Sequence, residues 1–203
     1  MTRITNSSRS YRSELREEQA EETRARILDA TLRVMTTGLA TLSVPAVAKE
    51  AGVSVPTVYR HFRSKPELLT AVYPHAARRA GLDKIADPRS LDDLRPMAHA
   101  YLERLDSLDD ASRAAMASPA ASEVRHATMP TRYQRIQRVA DSIEPKLRKA
   151  DRDRITRLIT VITASASLRM WRDHLGLSVD EVAKEIDWIV RAAIFAINER
   201  KER

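Results

Sequence analysis

The chain has 203 residues and a formal net charge of +7, with 43% apolar residues, 31% charged residues and no cysteine. These values fit a globular protein of one or two domains and exclude disulfides, zinc–thiolate sites, iron–sulfur clusters and cysteine nucleophiles. Four glycines are too few for a turn-rich β-sandwich or a glycine-rich phosphate loop, and no apolar run is long enough to span a membrane.

Residues 1–20 carry Arg3, Arg9, Arg12 and Arg16 among Ser, Thr and Asn. They read as a basic, mobile arm that lacks the apolar core of a secretory signal, so a cytoplasmic location is expected. The arm merges into a helix over Glu21–Thr37. There Ile27, Leu28, Thr31, Val34 and Met35 recur at spacings of three and four and form one buried stripe. Gly38 is the expected C-cap.

A second helix opens at Ser43, carries Pro45 in its first turn and buries Val44, Val47, Ala48 and Ala51. Ala51-Gly52-Val53 forms the turn. A short third helix, capped by Ser54, runs from Val55 through Arg60 and is closed by Phe62. Ser64-Lys65-Pro66-Glu67 reads as a capping box opening a fourth helix that ends near Gly81, with a kink at Pro74.

Beyond a polar break at Asp87-Pro88-Arg89, Ser90 and Asp93 form a second candidate capping box, although Pro96 moves the helix start nearer Asp93. That helix carries Leu94, Met97, Ala98, Tyr101, Leu102 and Leu105. Residues 109–130 read as a short helix and then a loop. Further helices are expected over Thr131–Lys149, bent before Pro145, then Asp151–Leu175 and Val179–Glu199, the last capped by Ser178 and Glu181. No segment alternates with a period of two, so the fold class is all-α.

The segment SVPAVAKEAGVSVPTVYRHF, residues 43–62, is two short helices joined by a three-residue turn, which is helix-turn-helix geometry. Residues 1–80 hold 13 Lys and Arg against 8 Asp and Glu, so the positive excess lies where phosphate would be met. The exposed side of the third helix presents Ser54, Val55, Pro56, Thr57, Tyr59 and Arg60 to base edges. Tyr59 and His61 offer donors. Lys65, Thr41 and Ser43 lie at helix N-termini that favour phosphate, and Arg24 reaches the adjacent backbone. The competing reading of 43–62 is a helical hairpin inside an ordinary bundle.

With these residues in view, the chain resembles the tetracycline-repressor (TetR) family over residues 23–73. The matching stretches are TRARILDATLRVM, Gly38 and TLSVPAVAKEAGVSVPTVYRHFRSKPELLTAVY, which contain the pattern V-Y-x-H-F-x-S-K-x-E-L-L. Pro56 stands where many relatives carry glycine; proline fits a first helical turn, so the difference falls on base readout. The resemblance implies a three-helix DNA-binding domain over 21–81 and a regulatory and dimerisation domain over 82–203. It further implies a homodimer on a palindromic double-stranded operator and a small-molecule effector, most often releasing a repressor.

The dimer is expected through residues 151–199, with Ile162, Ser165, Ile186, Ile189, Val190, Ala193, Ile194 and Ile197 at the interface; the alternative is an intramolecular core. Ala164-Ser165-Ala166-Ser167 is small enough for close helix approach. Met97, Tyr101, Arg104, Met116, Met129, Tyr133, Met170 and Trp171 are candidate pocket residues, with plain core packing as the alternative. His99, His126 and His174 have no companion at metal-ligand spacing, so no metal or cofactor is expected. No nucleophile–base pattern or P-loop is present, so an enzyme is not expected either. A non-specific nucleic-acid packer remains the other reading of the charge.

Overall fold

The computed structural model describes residues 5–37, 42–143 and 146–202, with side chains described within 14–200. Every regular element among the described residues is helical. The chain divides into two compact units. One comprises the residues up to Ala76 together with Asp110–Ala127, and the other comprises Ala77–Asp109 and Thr128 onward. The expected boundary near residue 81 had placed 110–127 with the carboxy-terminal part.

In the first unit, α1 spans Thr5–Met35. The expected arm is therefore helical from Thr5 onward, although Glu14–Glu22 are all exposed. No glycine or proline interrupts this stretch, so a helix anchored at Ile27 extends toward the amino terminus over the good helix formers of 14–22 and on through the Ser-rich residues before them. Arg3, Gly38, Leu39, Thr41 and Pro145, and the side chains of Arg9 and Arg12, lie outside what the structure describes.

Helices α2 (Val44–Ala51) and α3 (Val55–His61) flank the turn. Ser43 Oγ accepts from Ala46 N at 3.4 Å, and Ser54 Oγ accepts from Thr57 N at 3.2 Å. Gly52, at φ 65°, takes the left-handed conformation that ends α2, and Val53 N donates back to the Ala48 carbonyl. Helix α4 (Lys65–Arg79) opens with Glu67 N donating to Ser64 Oγ, while the Glu67 carboxylate accepts from Arg63 N rather than Ser64 N. Pro74 lies inside α4.

Ile27, Leu28, Thr31, Val34 and Met35 of α1 are all buried, as are the four expected α2 positions, Val58 and Phe62. Each of the Val, Leu, Ile, Met and Phe side chains among them, removed from water, contributes about 1.5–3 kcal/mol before entropy is counted, and the alanines and Thr31 less. Ala115, Ala120, Ala121 and Val124, from α6 (Asp110–Ala117) and the start of α7 (Ala120–Asp141), complete this core.

In the second unit, α5 (Leu94–Asp106) follows a 3-10 turn at Leu82–Lys84. Asp93 Oδ2 accepts from Arg89 N, Ser90 N and Ser90 Oγ, each at 2.9 Å, which is one half of the Ser90–Asp93 box, yet the helix itself starts after Asp93, whose carbonyl accepts from Met97 N at 3.0 Å. The loop expected before Thr131 is instead part of α7, which passes through Pro130. His126, Met129, Pro130 and Thr131 are exposed, so water can satisfy the backbone carbonyl that proline leaves without a donor. The α7 helix ends at Asp141, short of the expected Lys149.

The long helix expected over Asp151–Leu175 is broken. It divides into α8 (Lys149–Ile162), α9 (Ser165–Arg169) and a π-turn at Met170–His174. Thr163 Oγ1 donates to the Ile159 carbonyl at 2.7 Å and Ser167 Oγ to the Val161 carbonyl at 2.6 Å. Such bonds only bend or slightly weaken a helix, and Thr156 and Thr160 make them inside unbroken α8, so the break also needs a partner for the carbonyls it frees. Arg132 Nη2 donates to the Thr163 carbonyl at 2.7 Å and to Thr163 Oγ1 at 2.9 Å.

Helix α10 (Val179–Glu202) opens with the expected reciprocal box, in which Ser178 N donates to Glu181 Oε2 at 2.7 Å and Glu181 N to Ser178 Oγ at 3.2 Å. Two apolar clusters fill this unit. One holds Leu94, Ile136, Val139, Ile155, Ile159, Val190, Ile194 and Ile197; the other holds Ala98, Leu102, Leu168, Val182, Ala183 and Ile186.

Candidate nucleic-acid interface

The turn at Gly52 and the two serine caps fix α2 and α3 as a helix pair. Val58 and Phe62 face the core, and the opposite side of α3 is left to solvent. Ser54, Pro56, Tyr59 and Arg60 are exposed, with Tyr59 at 45% despite its apolar ring. Val55 and Thr57 are half-buried, Val55 packing against the core and Thr57 tied to the Ser54 cap. Pro56 sits in the first turn, where its missing N–H has no helical acceptor to lose. This side of a short helix has the size and polarity to enter a major groove.

Arg24 has a structural job. Its Nη1 donates to the His61 carbonyl at 3.0 Å, and its guanidinium lies 4.3 Å from the Phe62 ring centroid. A cation at a helix C-terminus meets the negative end of the dipole, so Arg24 clamps the end of α3. His61 is half-buried, and its imidazole is held below the ordinary value of 6.5 by burial, then by Arg60 and Arg24, against a small opposing pull from Glu21. Ser43 is engaged as a cap.

Lys65 Nζ lies 2.6 Å from Glu123 Oε2, and Glu123 Oε1 accepts from Leu42 N at 2.7 Å. Glu123 was not among the sequence candidates. Its partners are far away in the chain, and no local spacing could have signalled the contact.

The expected interface and pocket residues fall differently. Ile186, Val190, Ile194 and Ile197 are buried in the unit's own core, as is Ser165, so these five serve internal packing; Ile162, Ile189 and Ala193 are half-buried. Trp188, Phe195 and Val161 are instead exposed, at 66%, 67% and 62%. Among the pocket candidates, Met97, Tyr101 and Trp171 pack against the second unit's clusters. Tyr133 is half-buried, while Arg104, Met129 and Met170 are exposed. Met116 belongs to the first unit, where its carbonyl accepts from Arg125. Among the described residues no helix is long and apolar enough to cross a membrane.

Residues 27–72 match the family model described as bacterial regulatory proteins, tetR family. Over 55 residues the chain is 46% identical to the HTH-type transcriptional regulator SrpR of Pseudomonas putida, covering 27% of this chain and 26% of that one. Over 69 residues it is 44% identical to the HTH-type transcriptional repressor KstR of Mycolicibacterium smegmatis, covering 34% of each. The matched stretches thus span 26% and 34% of those curated relatives. The fold is similar to that of native NalD of Pseudomonas aeruginosa, described as the secondary repressor of the MexAB-OprM multidrug efflux pump. That likeness has a TM-score of 0.56 and 17% identity, and it covers 86% of this chain and 96% of that one.

Proposed function

We propose that the chain, whose residues 27–72 match the tetR-family model, is a ligand-responsive, sequence-specific DNA-binding transcriptional regulator of the cytoplasm. It acts as a homodimer on a palindromic operator, most often as a repressor that a small molecule releases. The observation that carries this reading is α3, whose exposed face bears Pro56, Tyr59 and Arg60 on a helix capped at one end by Ser54 and clamped at the other by Arg24. Half-sites about 34–36 Å apart need two such helices, hence two copies.

The proposed release is a population shift. An effector held in the second unit prefers a conformation whose recognition helices are wrongly spaced, so effector and operator weaken each other's binding. Half-buried Met97, Tyr101, Tyr133 and Trp171 supply the apolar and amphipathic character such a ligand would meet.

The test is an in vitro binding selection on random duplex DNA, run beside Tyr59→Ala. Enrichment of a palindrome with half-sites one helical turn apart, relaxed in the variant, is the expected result. Equal recovery of all sequences, with only a steep salt dependence, would mean a non-specific nucleic-acid packer instead.

A further inference from the structure

Glu123 stands at an unusual place for a carboxylate in a unit expected to meet DNA. One of its oxygens takes the backbone N–H of Leu42, just before the Ser43 cap of α2, and the other takes the Lys65 ammonium at the start of α4. A backbone N–H at one helix start and a lysine at another are the donors with which proteins hold a DNA phosphate. Burial alone would push the Glu123 carboxyl upward. The hydrogen bonds from Lys65 and Leu42, with the Lys65 charge, outweigh that and hold it below the ordinary carboxylate range, so it is an anion at neutral pH. The pair is not sealed: the Lys65 and Glu123 side chains are 33% and 26% exposed.

We propose that Glu123 is an internal anion that occupies Lys65 in the free protein, so that DNA must displace a carboxylate before its phosphate reaches that ammonium. The proposal rests on the DNA-binding reading and deepens it. Glu123 lies on α7, which contributes residues to both compact units. In the bound state Lys65 neutralises the same phosphate whether or not the carboxylate is there; the carboxylate lowers the affinity by the cost of breaking its own pair with Lys65.

The test measures the affinity of the full chain for a three-turn, mixed-sequence DNA duplex over a range of salt. Wild type is compared with Glu123→Gln, Lys65→Gln and the double variant. Glutamine keeps an acceptor for Leu42 N and nearly the same shape, and it removes only the charge. The expected result is an affinity gain of about two- to fivefold for Glu123→Gln, the range of an exposed ion pair. Its log–log salt slope stays close to that of wild type, because Lys65 neutralises the same phosphate in both. The gain in affinity should vanish when Lys65→Gln is also present.

Unchanged or weaker binding by a folded Glu123→Gln overturns the proposal and leaves Glu123 a brace between α2 and α4. The same gain in the Lys65→Gln background also overturns it, because the effect is then general charge and not competition for one lysine. Should the glutamine variant melt below the assay temperature, Glu123→Ser repeats the measurement with another neutral side chain. Wild-type protein with no salt-dependent affinity for the duplex would remove the DNA-binding reading itself, and the two failures are thereby distinguished.

Discussion

His61 links the recognition helix to pH. Its imidazole is held below 6.5 by burial first and then by Arg60 and Arg24, so it is neutral near pH 7 in the free protein. A DNA phosphate beside α3 reverses that balance by favouring the charged form, so binding takes up a proton. DNA affinity should therefore rise as pH falls from about 8 toward about 6, and His61→Gln should flatten the rise; titration of duplex binding at several pH values measures it. Stability runs the other way. A base with a depressed folded pKa contributes fully above its unfolded value and loses that contribution as pH falls from there through the lower folded value, so a gain in binding at low pH is not a gain in folding. Gly52 is a purely conformational case. Its φ is 65°, and an added Cβ would meet nothing within 4 Å. Gly52→Ala should then cost only the left-handed backbone penalty, about 1–2 kcal/mol, read as a lower urea midpoint with an unchanged m-value.

The elements legible in the sequence are those that local chemistry decides. Ser43 and Ser54 cap the helices expected of them, Gly52 turns the chain, and the Ser178–Glu181 box opens α10. The misses occur where a distant partner or solvent decides. The stretch up to Pro130 reads as a loop before a helix at Thr131, yet α7 runs through Pro130 on an exposed stretch. The break after Ile162 reads as continuous helix because the arginine that supports it lies on α7. Arg132 satisfies the Thr163 carbonyl and hydroxyl, so the interruption depends on a contact that no helical periodicity encodes. Arg132→Leu leaves a buried threonine carbonyl without this donor and should destabilise the chain by about 1–3 kcal/mol. Calorimetry should record that as a fall in melting temperature of a few degrees, with duplex binding below the transition unaffected.

At the scale of the whole molecule, the sequence shows that α8 and α10 are rich in apolar residues but not which of them the chain uses for its own core. Burial sorts them. Ile186, Val190, Ile194 and Ile197 fill the internal clusters, while Trp188 and Phe195, two turns apart on α10, remain about two-thirds exposed, at 66% and 67%. Large aromatic side chains bury about 150–250 Å² each when covered, and a helix that leaves two of them in water has a face still to be used. The proposed dimer is expected to use that outer face, with Val161 on α8 and the half-buried Ile162, Ile189 and Ala193, rather than the five expected residues that are buried within the chain. Two substitutions separate the possibilities. Phe195→Glu places a charge on the outer face and should shift the chain to monomer in sedimentation equilibrium, with little loss of melting temperature when compared at equal monomer content. Ile186→Ala hollows the internal cluster and should cost about 2–5 kcal/mol of stability without selectively opening the dimer. A Phe195→Glu protein that stays dimeric would place the interface elsewhere than the exposed side of α10. A monomer that still binds one half-site weakly would show that dimerisation supplies operator affinity by joining two intact reading heads.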